Sequence, residues 1–136
     1  MATFKTFEDI EAWQISRQLS SAIFNIANST ALSKDYGLKD QINRSSGSVM
    51  DNIAEGFDRG GSFEFIQFLG YAKGSCGEVK SQLCRCLDRK YISKEEFDNL
   101  IEMANNVGKM IRSLMEYLNR TSIRGEKFKD RNLQKQ

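Results

Sequence analysis

The apolar pattern of the C-terminal half constrains the fold more than any other feature of this chain. Between positions 97 and 118, apolar residues follow one another at alternating steps of three and four. They are Phe97, Leu100, Ala104, Val107, Ile111, Leu114 and Leu118. This heptad spacing is typical of helices that pack in bundles or coiled coils. Ser93-Lys-Glu-Glu96 precedes the pattern and has the form of a capping box, which predicts that a long helix starts there.

Three earlier segments also repeat apolar residues at helical spacing. We predict that helix one starts at Thr6-Phe-Glu-Asp9, that the glycine-rich residues 56–61 form a turn after helix two, and that Ser62 caps helix three. The predicted apolar faces are Ala12, Ile15, Leu19, Ile23 and Ile26 in helix one; Leu38, Ile42, Ser45, Ser46, Val49, Ile53 and Phe57 in helix two; and Phe65, Leu69, Ala72, Cys76, Val79, Leu83 and Cys86 in helix three. The chain has no proline to interrupt these helices. We therefore expect an all-α fold, an up-down-up-down antiparallel four-helix bundle over residues 1–119.

The charged residues divide the chain into two parts. The full sequence has 20 Lys and Arg against 18 Asp and Glu, but residues 120–136 contain six against two, which leaves 14 against 16 in residues 1–119. We therefore expect a slightly acidic bundle, followed at residues 120–136 by a flexible basic tail that is disordered or folds only on a partner.

The residue types on which most enzyme chemistry depends are missing. The chain has no histidine, which removes the usual general base and the usual metal ligand. Cys84-Arg-Cys86 lacks the other ligands of a zinc site, and the glycine clusters lack the Gly-Lys-Ser/Thr of a phosphate loop. A di-iron bundle would need Glu-x-x-His on two helices. We predict a protein without catalytic residues, metal, cofactor or small-molecule substrate.

The cysteines and the N-terminal sequence indicate a compartment. Cys76, Cys84 and Cys86 all lie in predicted helix three, where they cannot readily reach one another with disulfide geometry. Reduced thiols are typical of cytoplasmic proteins. The first residues lack the pattern of a secretion signal, and no apolar run approaches the ~18 residues of a membrane span. We expect a cytoplasmic protein.

Helices two and three each carry a second, polar face. In helix two it consists of Gln41, Arg44, Ser48, Asn52 and Glu55, and in helix three of Gln67, Tyr71, Ser75, Glu78 and Gln82. Three interpretations stay open for these faces: solvation, hydrogen bonding across a subunit interface, or contact with a ligand or RNA.

Interior glycines accompany the two polar faces. Helix three contains Gly70, Gly74 and Gly77, each of which costs ~1 kcal/mol relative to alanine. They predict that another backbone comes close to this helix. At a subunit interface, Gly47, Gly74 and Gly77 would permit such an approach.

Two groups of basic residues are candidate phosphate contacts. Arg85, Arg89, Lys90 and Lys94 surround the end of helix three, where the helix macrodipole alone accounts for cations. The tail carries the second group, with Phe128 among its charges: Arg120, Arg124, Lys127, Lys129, Arg131 and Lys135. Such a tail is compatible with a phosphate-binding arm and equally with a solubilising segment. The candidate nucleic-acid-binding residues are Arg85, Arg89, Arg120, Arg124, Lys127, Lys129 and Arg131.

Four sequence elements carry a resemblance to a known family. They are Phe7-Glu-Asp-Ile-Glu-Ala-Trp13, Gly37-Leu-x-x-Gln41-Ile-x-Arg44, Ser48-Val-x-x-Asn52-Ile-Ala-Glu-Gly56, and Phe65 through Ala72-Lys-Gly-Ser75 to Glu78. In this order and spacing they resemble the bacterial four-helix-bundle proteins encoded within intervening sequences of 23S ribosomal RNA genes, over roughly residues 4–118. A related group serves as accessory subunits of diversity-generating retroelements, where the bundle assembles into a pentameric ring.

The resemblance implies a homopentamer associated with ribosomal RNA. It also marks motif positions, without a catalytic role for any of them: Gln41, Arg44, Asn52, Glu55, Gly56, Gly74, Ser75 and Glu78. Our first hypothesis is a non-enzymatic, oligomeric protein that binds structured ribosomal RNA or its intervening segment. The alternative is a protein-interaction scaffold, or an accessory subunit of a nucleic-acid-processing complex.

Overall fold

Four α-helices make up most of the protein. The structure is a computed structural model that describes residues 4–132, with side chains over residues 4–121. The helices are α1 (Glu11–Ser29), α2 (Tyr36–Asp58), α3 (Ser62–Asp88) and α4 (Lys94–Asn132). Short 3-10 helices at Phe7–Asp9 and Ala31–Lys34 precede α1 and α2.

Contacts between neighbouring helices show that the chain reverses direction at each turn. Gln41, near the start of α2, bonds to Arg85, near the end of α3, and Ser48 bonds to Ser75 midway along both helices. The Cys76 thiol of α3 donates to the Ala104 carbonyl of α4 at 3.1 Å. Helix α1 packs on both α2 and α4, so each of the four helices contacts two neighbours. The protein is therefore an up-down-up-down antiparallel four-helix bundle, as the sequence predicted.

The apolar face predicted for helix three is confirmed in full, because all seven of its residues are buried. Helix α4 buries five of its seven heptad residues, and Phe97 and Leu118 at the two ends are half-buried. The largest side chains in the core with almost no exposure are Ile10, Leu19, Ile23, Leu32, Ile42, Ile53, Leu69, Leu83 and Ile111. Their burial supplies most of the free energy that holds the helices together.

The predicted face of helix one is confirmed at Ala12, Leu19 and Ile23, which are buried. Ile15 and Ile26 are half-buried and pack against the core, whereas Ser16 is fully buried although its polarity did not predict this. The buried Ser16 hydroxyl donates to the Ala12 carbonyl one turn earlier, at 2.6 Å. This bond removes most of the cost of burying a hydroxyl, so a serine can occupy a core position.

Two of the three predicted helix starts are corrected. The Asp9 carboxylate accepts bonds from the Lys5 and Thr6 amides, but the turn it caps is the 3-10 helix, and α1 begins at Glu11. Gly61, not Ser62, is the N-cap of α3. The capping box before α4 is confirmed, since Ser93 and Glu96 exchange bonds of 3.0 Å and 2.8 Å.

Helix α4 does not end at residue 119, where the predicted bundle domain ends. It continues to Asn132, through a segment that contains no proline. Residues 119–121 are exposed, so this part of α4 no longer contributes to the core. Residues 133–136, including Lys135, lie outside the described part of the chain. That residues 120–136 are flexible stays a prediction.

Candidate interaction surface on helices α2 and α3

The polar faces of α2 and α3 meet between the N-terminal half of α2 and the C-terminal half of α3. Ser75 Oγ donates to Ser48 Oγ at 3.1 Å, and Asn52 Nδ2 donates to both the carbonyl and the hydroxyl of Ser48. At one end, Arg85 Nη2 donates to Gln41 Oε1 at 2.6 Å. We call the surface formed by these two polar faces the α2–α3 face.

An open polar groove of about 510 Å³ lies at the Arg85 end of the α2–α3 face. The residues that line it are Gln41, Arg44, Ser45, Ser48, Glu78, Ser81, Gln82 and Arg85. The guanidinium groups of Arg44 and Arg85 are hydrogen-bond donors, whereas the carboxylate of Glu78 is an acceptor. The groove can therefore bind an occupant that presents donors and acceptors together.

Gln82 is the unusual residue of the groove. It is only 7% exposed, and its Oε1 has no hydrogen-bond partner among the described residues. A buried carbonyl without a donor costs roughly 1–3 kcal/mol. The helical spacing of the sequence places Gln82 on a polar face, but hydropathy does not show that a residue is buried without a partner.

Several predicted members of the face bond within their own helix. Arg59 binds Glu55 at 2.8 Å, and Arg44 binds Asp40 at 3.1 Å. Gln67 Nε2 donates to the Tyr71 hydroxyl at 3.0 Å. These pairs are exposed, and pairs of this kind contribute little to stability. Their side chains remain accessible to a partner.

The prediction that glycines of helix three admit a second backbone is wrong within the chain. A Cβ on Gly74 or Gly77 would meet no atom of the described residues within 4 Å, and one on Gly70 would meet only the end of Met115, at 3.9 Å. The close approach occurs instead at Gly56, where a Cβ would lie 2.6 Å from Phe68 Cβ. Gly56 is therefore the glycine that packing requires.

Large aromatic side chains continue the α2–α3 face beyond the groove. Phe63 is 78% exposed and Tyr71 is 52% exposed. Phe68 stacks edge-on against Tyr71, with the ring centroids 5.4 Å apart, and the Arg59 guanidinium lies 4.9 Å from the centre of the Phe68 ring. Exposed aromatic residues beside cations are common in interaction surfaces.

Arg89, a candidate for phosphate binding, is engaged within the protein. It pairs with Asp35 at 2.7 Å, and the Tyr91 hydroxyl donates to the same carboxylate oxygen at 2.8 Å. The Tyr91 bond, the Leu38 amide and Arg89 together hold the pKa of Asp35 below its usual value. Because Asp35 is also the N-cap of α2, this cluster ties the start of α2 to the end of α3.

Five of the six basic residues after residue 119 lie on the C-terminal part of α4, and the sixth, Lys135, is outside the described residues. Arg120 is exposed, and the side chains of Arg124, Lys127, Lys129 and Arg131 lie outside the described ones. In the sequence, residues 120, 124, 127 and 131 are basic and are separated by steps of four, three and four. Residues at this spacing share one side of an α-helix.

The cysteines occupy ordinary core and surface positions. Cys76 and Cys86 are buried and Cys84 is exposed. Burial raises the pKa of the Cys76 thiol, and it raises the pKa of Cys86 to about 11. Among the described residues there is no group of three or more His, Cys, Asp or Glu that could hold a metal ion. None of the described helices is long and apolar enough to cross a membrane.

The protein is a small four-helix bundle, and its α2–α3 face is a polar surface. The model of the family of 23S rRNA-intervening sequence proteins matches residues 8–113, and the chain belongs to this family. The match includes the α2–α3 face and stops before the basic part of α4.

A solved structure shows the same fold. It is the crystal structure of a protein with unknown function from the S23 ribosomal protein family of Bacteroides thetaiotaomicron VPI-5482. The TM-score is 0.72 at 22% sequence identity, and the alignment covers 77% of this chain and 95% of the other. No curated protein matches the chain in sequence.

Proposed function

We propose that this protein is a non-enzymatic, oligomeric RNA-associated protein of the cytoplasm that binds structured ribosomal RNA or its intervening segment. The observation that carries the proposal is the match of residues 8–113 to a family described by 23S rRNA-intervening sequences. The crystal structure with the same fold likewise comes from a family named for a ribosomal protein. By the resemblance given above, the oligomer is a pentamer.

The charge distribution supports the C-terminal part of α4 as the RNA-contacting segment. Residues 120–136 carry six basic residues against two acidic ones, while residues 1–119 are acidic by two charges. Repeated cations on one side of a helix suit a phosphate backbone, which is recognised through charge and shape rather than sequence. Arg85 adds a cation at the groove. Arg89 contributes less to this charge because it is paired with Asp35.

The experiment is a binding titration with fluorescent ribosomal RNA fragments across a salt series. We expect the variant with Arg120, Arg124, Lys127 and Arg131 changed to Gln to bind more weakly. Its slope of log K against log salt should fall by about 3, because each lost phosphate contact removes about 0.7 from the slope.

A charge-matched control separates specific contacts from net charge. Lys34, Lys73, Lys109 and Arg112 are exposed on the bundle, and changing these four to Gln alters net charge equally. The control should keep most of the affinity and slope. Equal losses in both variants would contradict the role of residues 120–136, and no binding at low salt would contradict RNA association.

The alternative function is a scaffold that holds a protein partner, in isolation or within a nucleic-acid-processing complex. The exposed aromatic residues Phe63 and Tyr71 favour it, because aromatic residues are enriched in protein–protein interfaces. Recovery of one partner protein in fixed stoichiometry after nuclease treatment would support the scaffold. Salt-dependent binding of purified protein to RNA would support the first function.

A further inference from the structure

A hollow of about 610 Å³ opens where the N-terminal segment and the start of α1 lie against α4, and we call it the α1–α4 hollow. Its walls are mostly apolar and include Ile10 from the N-terminal segment, with Met110 and Leu114 from α4. Sites for small organic groups are typically concave and apolar, with volumes of roughly 300–1,000 Å³ and a few polar groups. The α1–α4 hollow therefore has the size and lining to bind one aromatic ring system.

Two aromatic side chains also line the α1–α4 hollow. Phe4 comes from the N-terminal segment and Tyr117 from α4, and both are half-buried. The Phe4 ring meets the Phe57 ring edge-on, with the centroids 6.3 Å apart, so Phe4 is held against the bundle. Aromatic side chains of this kind bind the bases of single-stranded nucleic acid by stacking. The hollow can therefore hold a base between apolar and aromatic walls.

The α1–α4 hollow lies on the same side of α4 as the basic residues beyond the bundle. Met110, Ser113 and Tyr117 line the hollow, and steps of three and four residues separate them. The same alternating steps continue through residues 120, 124, 127 and 131, which are all basic. Residues at this spacing share one side of an α-helix, and α4 is helical up to Asn132. The row of cations therefore begins one turn beyond the hollow.

The charge of the hollow itself differs from that of the basic row. Asp9 and Glu11 line the hollow against one cation, Lys109, so its net charge is negative. Negative charge repels a phosphate group, whereas carboxylates accept hydrogen bonds from the amino groups of bases. The charge pattern therefore suits a nucleotide whose uncharged base enters the hollow and whose phosphates stay with the cations of α4.

We propose that the α1–α4 hollow binds one unpaired base of an RNA whose phosphates contact the C-terminal part of α4. This inference rests on the RNA association of the proposed function and adds the kind of RNA that is bound. Bases within a duplex are stacked and paired, whereas bases in bulges, loops and ends can be splayed out into a pocket. Tyr117 and Arg120 are three residues apart, about 4.5 Å along the helix axis, so one nucleotide can contact both positions.

The experiment uses three RNA hairpins that differ at one position. The first has a bulged 2-aminopurine, a fluorescent base that responds to stacking; the second has an abasic bulge, which is as flexible but has no base; the third is fully paired. We expect the native protein to bind the first hairpin about tenfold more tightly than the second, because stacking of one base on aromatic side chains supplies an effect of this size. Binding should also change the 2-aminopurine fluorescence.

Two substitutions of Tyr117 test the aromatic wall. Tyr117→Leu keeps an apolar side chain but removes the ring, and should reduce the preference for the bulged base to less than about twofold. Tyr117→Phe keeps the ring and should retain the preference.

A third substitution fills the hollow. Ser113→Phe adds a ring at the edge of the hollow without changing net charge, and should abolish the preference. Ser21→Phe is the same change at an exposed position of α1 and should bind all three hairpins as the native protein does. Circular dichroism and thermal unfolding show whether each variant is folded. If Ser113→Phe did not fold, the two Tyr117 variants would decide the result.

The possible outcomes separate this inference from the proposed function. Equal affinity of the native protein for the 2-aminopurine and abasic bulges would overturn the inference. So would a full preference in Tyr117→Leu or Ser113→Phe, which is the result expected if a protein partner covers the hollow. In either case, salt-dependent binding of the paired hairpin would leave the proposed function intact. If the native protein bound none of the hairpins at low salt, RNA association and the base site would fail together.

Discussion

Two helix–helix interfaces of the same bundle are packed in different ways. They are the α2–α3 interface, which we call the polar seam, and the α1–α4 interface, which we call the apolar seam. Helices α2 and α3 make the most extensive contact of the four neighbouring pairs, and small residues such as Ser45, Ser75 and Gly56 are buried there. Helices α1 and α4 make the least, across a more apolar hollow of about 610 Å³ that includes Ile10 and Leu114. Small residues permit close helices but leave polar groups in need of partners, whereas large apolar residues close a seam by area alone.

The largest effect should come from the apolar seam. Leu114 is 5% exposed, and Leu114→Ala should lower the free energy of unfolding by about 3 kcal/mol, from lost burial and a residual cavity. Urea denaturation measures it. Leu118→Ala is the control one turn later, where the side chain is only half-buried, and should cost clearly less. Equal losses would mean that the seam does not depend on Leu114.

The next effect tests the close approach in the polar seam. Gly56→Ala should destabilise by about 2 kcal/mol, because the new Cβ overlaps Phe68 Cβ and the backbone must move. Gly74→Ala is the matched change at an open site and should stabilise the helix by about 0.5–1 kcal/mol. If both alanines stabilised the protein, the seam would have room to relax.

Removing one hydrogen-bonding group from the polar seam should increase the stability of the protein. Gln82→Leu should raise the free energy of unfolding by about 1 kcal/mol, because it removes a buried carbonyl that no described residue bonds. Gln18→Leu, at an exposed position of α1, should change stability by less than about 0.5 kcal/mol. A loss of stability in Gln82→Leu would show that Gln82 has a partner within the chain.

The smallest effect concerns pH at the end of the polar seam. The pKa of Asp35 lies below its usual value chiefly because of the Tyr91 hydroxyl, so its ionised form favours folding. That contribution is present above the unfolded pKa of about 3.9 and is lost as pH falls through the lower folded value.

Tyr91→Phe should therefore reduce stability at neutral pH, and the difference from the native protein should shrink below about pH 4. Urea denaturation at a series of pH values measures this difference. Tyr36→Phe, at a 76% exposed position, is the control and should show no such trend. A difference independent of pH would mean that the Tyr91 hydroxyl does not act through the Asp35 carboxylate.

The sequence predicts the structure well where local chemistry decides it. The spacing of apolar residues predicted four helices, their order and the complete buried face of α3, because a helix has one period and apolar side chains must leave water. The capping box at Ser93 and Glu96 marked the start of α4, since both of its bonds lie within four residues.

Tertiary structure decided what depends on neighbours distant in the chain. Hydropathy alone places Ile15 in the core and Ser16 outside, but packing on the adjacent helices selects Ser16, whose hydroxyl bonds within its own turn. In the same way, the sequence predicted a close approach at several glycines. Only the position of Phe68 shows that the close approach occurs at Gly56.

The sequence by itself determined the bundle and placed Gln82 on a polar helical face. Only the tertiary structure showed that Gln82 is buried with a carbonyl that no described residue bonds, and that Arg89 pairs with Asp35. The physical reason is that periodicity and capping are properties of a single helix, whereas burial, ion pairing and an unsatisfied acceptor depend on which side chains the neighbouring helices bring.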